Sequence, residues 1–299
     1  MVKRLISANS SEMLQMKRDD LKQSIKASEG RVILSENVVM HEAMDGITTS
    51  EIAASFGADL ILLNALDVFE PKIAGLAVDD PSETIHALQK LVGRPIGANL
   101  EPVDTEADMS EDRLEIPAGR TASKASLQKA EALGLNFVCL TGNPGTGVTN
   151  RQIAKAIKTA KEEFSGLIIA GKMHGAGVNE PVVSEEAVKK FIEAGADVIL
   201  VPAVGTVPGF TKSDLVSVVK LAHEHDALVM STIGTSQEGS GSRIIEEIAL
   251  RNKTCGVDIQ HIGDAAWGIQ SPFDNIYPLS RAIRGERHTI SRMARSINR

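Results

Sequence analysis

Eight short apolar runs, each followed by a stretch with helical periodicity, recur along this 299-residue chain. The runs occupy residues 31–37, 58–64, 94–101, 136–143, 166–174, 196–203, 227–234 and 257–264. Runs this uniformly apolar are buried on both faces, as strands of a parallel sheet covered by helices are. From the fourth onward they begin at 136, 166, 196, 227 and 257, the length of one strand–helix unit. Two corners echo one another: SFGADLILL at 55–63 and EAGADVILV at 193–201. Eight such units predict an α/β fold, a closed (β/α)8 TIM barrel, with a doubly wound open sheet as the alternative.

No linker, low-complexity tract or charge block interrupts the pattern, so residues 1–299 are expected to form a single domain. Residues 1–30 read as an N-terminal helical extension, with the helix over 12–28. Residues 278–299 carry arginine at 281, 284, 287, 292, 295 and 299 between Ile283, Ile290, Met293 and Ile297. That spacing predicts a basic, amphipathic closing helix that docks on the barrel or on a partner subunit, which keeps a homo-oligomer open. The acidic connection 102–121 is either a lid or a disordered insert.

A net charge of −7 and an aromatic content of 3% argue against a nucleic-acid partner. No apolar run reaches the roughly 20 residues of a membrane span, and the first residues lack a signal-peptide core. Cys139 and Cys255 have no metal-type spacing and read as reduced thiols. The expectation is a cytoplasmic protein without a membrane partner.

In such a barrel, chemistry sits where the strands end. Glu36 and Asn37 end the first run, Asn64 the second, Thr141 and Asn143 the fourth, and Thr232 the seventh. In the third run Asn99 and Glu101 share the parity of Gly97, opposite Ile96, Ala98 and Leu100, and so should face inward. Lys172 and His174 end the fifth run; Gln260, His261 and Asp264 end the eighth. The catalytic candidates are Lys172, Glu101, His174 and Asp264: Lys172 as proton donor or anion contact, Glu101 as general base and His174 as its partner acid. Asn64, Asn99, Thr141, Asn143 and Gln260 are expected to bind substrate. No cofactor is required, although Glu101, His174 and Asp264 offer a possible Mg or Mn set.

The seventh run leads into Gly234, Thr235, Ser236, Gly239, Ser240 and Gly241, and then into a helical stretch. Strand, glycine-rich turn and helix aim backbone N–H groups at an anion, so these six residues are the candidate phosphate site. The same loop can also be a flexible turn with a serine cap. With this turn the chain resembles the phosphate-binding TIM barrels, in particular the ribulose-phosphate-binding group, although Gly263 and Gly268 match that group's second phosphate loop poorly. The resemblance implies an enzyme that acts on a small phosphorylated metabolite by proton abstraction next to a carbonyl, as an isomerase, epimerase or aldolase-type lyase. A more distant similarity, to phosphoenolpyruvate mutase and isocitrate lyase barrels, implies a divalent-metal-dependent lyase or hydrolase. A non-catalytic barrel that binds a phosphorylated ligand is the third possibility. Trp267, the single tryptophan, falls in the loop after the eighth run, where it can cover a ligand.

Overall fold

The computed structural model describes residues 2–263 and 273–299. In chain order the strands are β1 (Val32–Val38), a small antiparallel hairpin of β2 (Glu42–Met44) and β3 (Ile47–Thr48), then β4 (Leu60–Asn64), β5 (Ile96–Leu100), β6 (Phe137–Leu140), β7 (Leu167–Gly171), β8 (Val198–Pro202), β9 (Leu228–Ile233) and β10 (Ile259–Ile262). Apart from the hairpin, all pair in parallel and in sequence, and β10 returns to β1 to close an eight-stranded barrel. Each expected run supplies one barrel strand. The outer layer is α3 (Thr49–Ser55), α4 (Thr84–Val92), α5 (Lys124–Ala132), α6 (Asn150–Glu163), α7 (Glu185–Ala194), α8 (Lys212–Glu224) and α9 (Ser242–Thr254), preceded by α1 (Ser10–Gln15) and α2 (Arg18–Lys26) and followed by α10 (Phe273–Ala294). Five of the strand-to-helix loops end in a hydroxyl that accepts the N–H three residues on: Thr48, Ser123, Thr149, Ser184 and Thr211.

Alternation along the strands divides the apolar residues between two cores. Ile33, Ile61, Ile96, Ala98, Val138, Ile168, Val229 and Ile262 meet the helices. Val32, Leu34, Leu60, Leu62, Phe137, Cys139, Ile169, Val198, Met230 and Ile259 fill the barrel interior. Phe137 fills it because Gly97 on the neighbouring strand has no side chain: a Cβ there would lie 2.2 Å from the ring. The N-terminal extension is two helices rather than the one expected over 12–28. Its Leu5, Met13, Leu21 and Ile25 belong to the interior core and plug the end where the strands begin.

The closing helix is anchored by its arginines and not by its apolar stripe alone. Arg284 Nη1 donates to Asp59 Oδ2 at 2.6 Å, and Arg292 Nε lies 2.7 Å from Asp59 Oδ1. Asp59 also accepts the N–H of Ile33 at 2.9 Å, and all three charged side chains are fully buried. Burial alone would raise the Asp59 pKa, but the guanidiniums of Arg284 and Arg292 hold it below its ordinary 3.8. These two arginines are therefore spent inside the chain. The connection 102–121 is ordered: Ser110 N–H donates to Gly177 O and Leu114 N–H to Gly145 O, which roofs the β6 and β7 ends.

Replacing Asp59 with alanine leaves two buried guanidiniums unpaired and should cost about 3–5 kcal/mol by denaturant unfolding. The same change at exposed Asp226, paired with Lys22 and Lys26, should cost about 0–1 kcal/mol. Because the folded Asp59 pKa is depressed, its contribution is complete above pH 3.8 and is lost only as the pH falls below that value.

Candidate active site

Where the strands end, the inward-facing positions turn from apolar to polar. Glu36 follows Val32 and Leu34 on β1, Asn64 follows Leu60 and Leu62 on β4, Asn99 follows Gly97 on β5, and Thr141 follows Phe137 and Cys139 on β6. These four border a cavity of about 580 Å³, walled by Arg120, Asn143 and His174, by Gly234, Thr235, Ser236 and Glu238 after β9, and roofed by Ser110, Glu111 and Leu114. A shallow groove of about 660 Å³ along residues 204–212, flanked by Gln237 and Arg251, lies outside this mouth and shares none of its side chains.

Glu36 sits at the centre of the polar layer. Asn99 Nδ2 donates to its Oε1 at 2.5 Å, and His261 Nε2 is 2.7 Å from its Oε2. Two rigid neighbours thus fix both oxygens of a carboxylate that is buried yet borders the cavity. A second network supports the adjoining wall at the ends of β4, β5 and β6. Asn64 and Asn143 exchange amide hydrogen bonds at 3.0 and 3.1 Å. Glu101 accepts from Arg120 Nη2 at 2.8 Å, from Asn143 Nδ2 at 2.9 Å and from Asn143 N–H at 2.8 Å.

Of the expected substrate contacts, Asn64, Asn99, Thr141 and Asn143 border the cavity, as do His174, Gly234, Thr235 and Ser236. Four assignments need correction. Lys172 does not reach the cavity: it continues the helix-facing parity of Ile168 and Ala170, and its Nζ donates to Glu180 Oε1 at 2.6 Å. Glu101 is not a free base, because Arg120 and Asn143 take both its oxygens behind the wall. Gln260 also faces the helices, where it accepts from Ser231 Oγ at 3.3 Å. Gly239, Ser240 and Gly241 lie beyond the lining, and Gly241 is the N-cap of α9. Asp264 and Trp267 fall outside the described residues. Among the described residues no three His, Cys, Asp or Glu side chains converge as metal ligands.

Three participants escaped the sequence pattern. Glu36 was visible only as a polar strand end, yet its parity with Val32 and Leu34 marks it as inward. His261 shares the inward parity of Ile259, one residue beyond the Gln260 chosen instead. Glu238 hides among glycines and serines in a loop read for its backbone.

The family model described as Domain of unknown function (DUF7916) matches residues 6–299. The chain belongs to this family. None of the curated proteins matches it in sequence. Among solved structures it is similar to a 2,3-dimethylmalate lyase of the PEP mutase/isocitrate lyase superfamily, at 13% identity and TM-score 0.51, over 96% of this chain and 89% of that one. It is also similar to orotidine 5'-phosphate decarboxylase from Pyrococcus horikoshii OT3, at 17% identity and TM-score 0.51, over 85% and 100%. A putative lyase/mutase from Burkholderia cenocepacia J2315 follows at 15% identity and TM-score 0.50, over 88% and 84%. At these identities the likeness establishes the barrel and nothing finer.

In this DUF7916 barrel, burial shifts the protonation of two groups bordering the cavity. Burial pushes the His174 pKa down, the Lys172 charge adds to the shift, and Glu36 and Glu101 oppose it. Its Nδ1 accepts the N–H of Ala176 at 3.0 Å, so the neutral ring carries its proton on Nε2. Burial pushes the Glu238 carboxyl up, against the backbone N–H dipoles of Glu238 and Ser236 and the nearby His261. Lys172 is likewise held below its ordinary value by burial, with Glu180 opposing. An NMR titration should find the His174 midpoint below 6.5 and the neutral ring protonated on Nε2. A midpoint at or above 6.5 contradicts the assignment.

Proposed function

We propose that this protein is a TIM-barrel enzyme that moves a proton next to a carbonyl of a small phosphorylated metabolite, as an isomerase or a carbon–carbon lyase. The observation that carries the proposal is Glu36, a carboxylate fixed by Asn99 and His261 at the edge of a cavity that also holds a neutral, Nε2-protonated His174. Glu36 serves as the general base: its two hydrogen bonds set the orientation that proton abstraction needs. His174 donates from Nε2 to the substrate carbonyl oxygen and stabilises the enolate oxygen as charge builds there, which a neutral ring does without first losing a charge. Glu238, with its raised pKa, is suited to return a proton. Arg120 is held by Glu101 at the wall, where it can orient an acidic group of the substrate. The phosphate belongs at the rim, where Gly234, Thr235 and Ser236 offer backbone rather than side-chain contacts.

Solvent-deuterium exchange into the carbon acid, scored over a panel of phosphorylated ketones and oxo acids, tests the proposal. Glu36→Gln should slow exchange by about 10²–10⁴-fold. His174→Gln should slow it by about 10²–10³-fold, the loss seen when one oxyanion donor is removed. Lys172→Met should leave exchange within a few-fold of the parent. Exchange that depends on Lys172 and not on Glu36 overturns the assignment. EDTA should leave the rate unchanged; its abolition by EDTA, with recovery on adding Mg²⁺, would favour the metal-dependent lyase.

A further inference from the structure

Three residues that border the cavity each carry a buried side-chain atom with no hydrogen-bond partner among the described residues. The atoms are Asn99 Oδ1, Thr141 Oγ1 and Glu238 Oε2. Their residues are 3%, 1% and 3% exposed, so solvent contact does not explain them. Leaving a buried polar atom unpaired costs about 1–3 kcal/mol, and three around one hollow point to a missing ligand. The amide orientation of Asn99 is chemically fixed: the group facing the Glu36 carboxylate must be the NH₂, so Oδ1 is the free acceptor.

We infer that the substrate reaches this wall with a hydroxylated carbon chain, whose hydroxyl groups pair with Asn99, Thr141 and Glu238. This rests on the proton-transfer reading for what happens to the substrate; the recognition itself stands on the unpaired atoms. The set has mixed polarity. Asn99 Oδ1 only accepts, whereas Thr141 can donate and accept, and burial favours the protonated, donating form of Glu238. A hydroxyl supplies a donor and an acceptor in one group, while an ammonium only donates and leaves the Thr141 hydroxyl proton unmatched. A phosphate or carboxylate only accepts, and here it would meet Asn99 Oδ1 beside the Glu36 carboxylate. The cavity's charges point the same way. Glu36 and Glu111 border it, which disfavours an anion at this wall. Asn99 pairs with Cys139 across β5 and β6, and Thr141 lies two residues beyond Cys139 with the same inward parity.

The probes are xylitol, 1,4-diaminobutane and inorganic phosphate, each measured on the full chain by saturation-transfer NMR. Xylitol should bind, and Thr141→Val and Glu238→Met should each weaken it at least tenfold while thermal midpoints stay close to the parent. Asn99→Leu serves as a third variant should either fail to fold. Failure of xylitol to bind overturns the inference, as does tighter binding of the diamine or of phosphate that is lost in the same variants. Xylitol has no carbonyl, so the outcome is separate from the base assignment. Glu36→Gln protein that binds xylitol but has lost exchange supports both ideas. Unchanged exchange in Glu36→Gln protein that still binds xylitol refutes the base and leaves the hydroxyl inference standing.

Discussion

At the start of four alternate barrel strands, a side chain accepts the N–H of the strand before it. Asp59 takes Ile33, Asn136 takes Ile96, Asp197 takes Ile168 and Asp258 takes Val229. A glycine with positive φ precedes each by two residues: Gly57, Gly134, Gly195 and Gly256. Each glycine ends a helix where an L side chain would be strained, and drops the chain into the next strand. The carboxylate or amide then fixes the register of that strand against its neighbour. A one-residue slip would exchange every inward side chain for an outward one. These four clamps, at the end opposite the cavity, are therefore what brings Glu36, Asn99, Thr141 and His261 to one level. Asp59 does most, since the same carboxylate also holds Arg284 and Arg292 of the closing helix.

The barrel was legible because its signals are local and repeated. The apolar runs, the unit length and the shared corner at residues 55–63 and 193–201 each need only a few neighbouring residues. The same corner also appears, less plainly, at Gly134–Asn136 and Gly256–Asp258, where asparagine or a changed neighbour blurs the likeness. Inward parity was legible for Asn99 because Gly97 breaks the pattern beside it. For Lys172 the same rule, counted from Ile168 and Ala170, assigns the helix side. The structure follows that count, with the Lys172 Nζ on Glu180 and outside the cavity lining.

What stayed hidden depends on contacts distant in sequence. Glu101 looks like an available base until Arg120 and Asn143 are brought against it. Gly171 shows how a strand end can divide two neighbouring polar residues. Its φ of 150° is open to glycine, and a Cβ there would lie 2.0 Å from Leu200 O. Beyond it Lys172 stays behind the wall with Glu180. His174, past the strand end, is turned into the cavity by a loop in which Ala176 and Gly177 both have positive φ. No periodic rule extends past a strand end, so the two residues had to be parted by the loop itself.

The cavity's chemistry follows from where charge is compensated. Glu101 and Lys172 each meet an opposite charge, Arg120 and Glu180 respectively. Glu36 instead meets the Asn99 amide and the His261 ring, which fix the direction of its two oxygens. The proposed abstraction of a proton by Glu36 depends on that fixed direction. Burial acts on its neighbours instead. It disfavours the charged forms of both His174 and Glu238. Two groups of opposite ordinary charge are thereby pushed toward their neutral forms in one hollow, by depth and partners rather than by residue type.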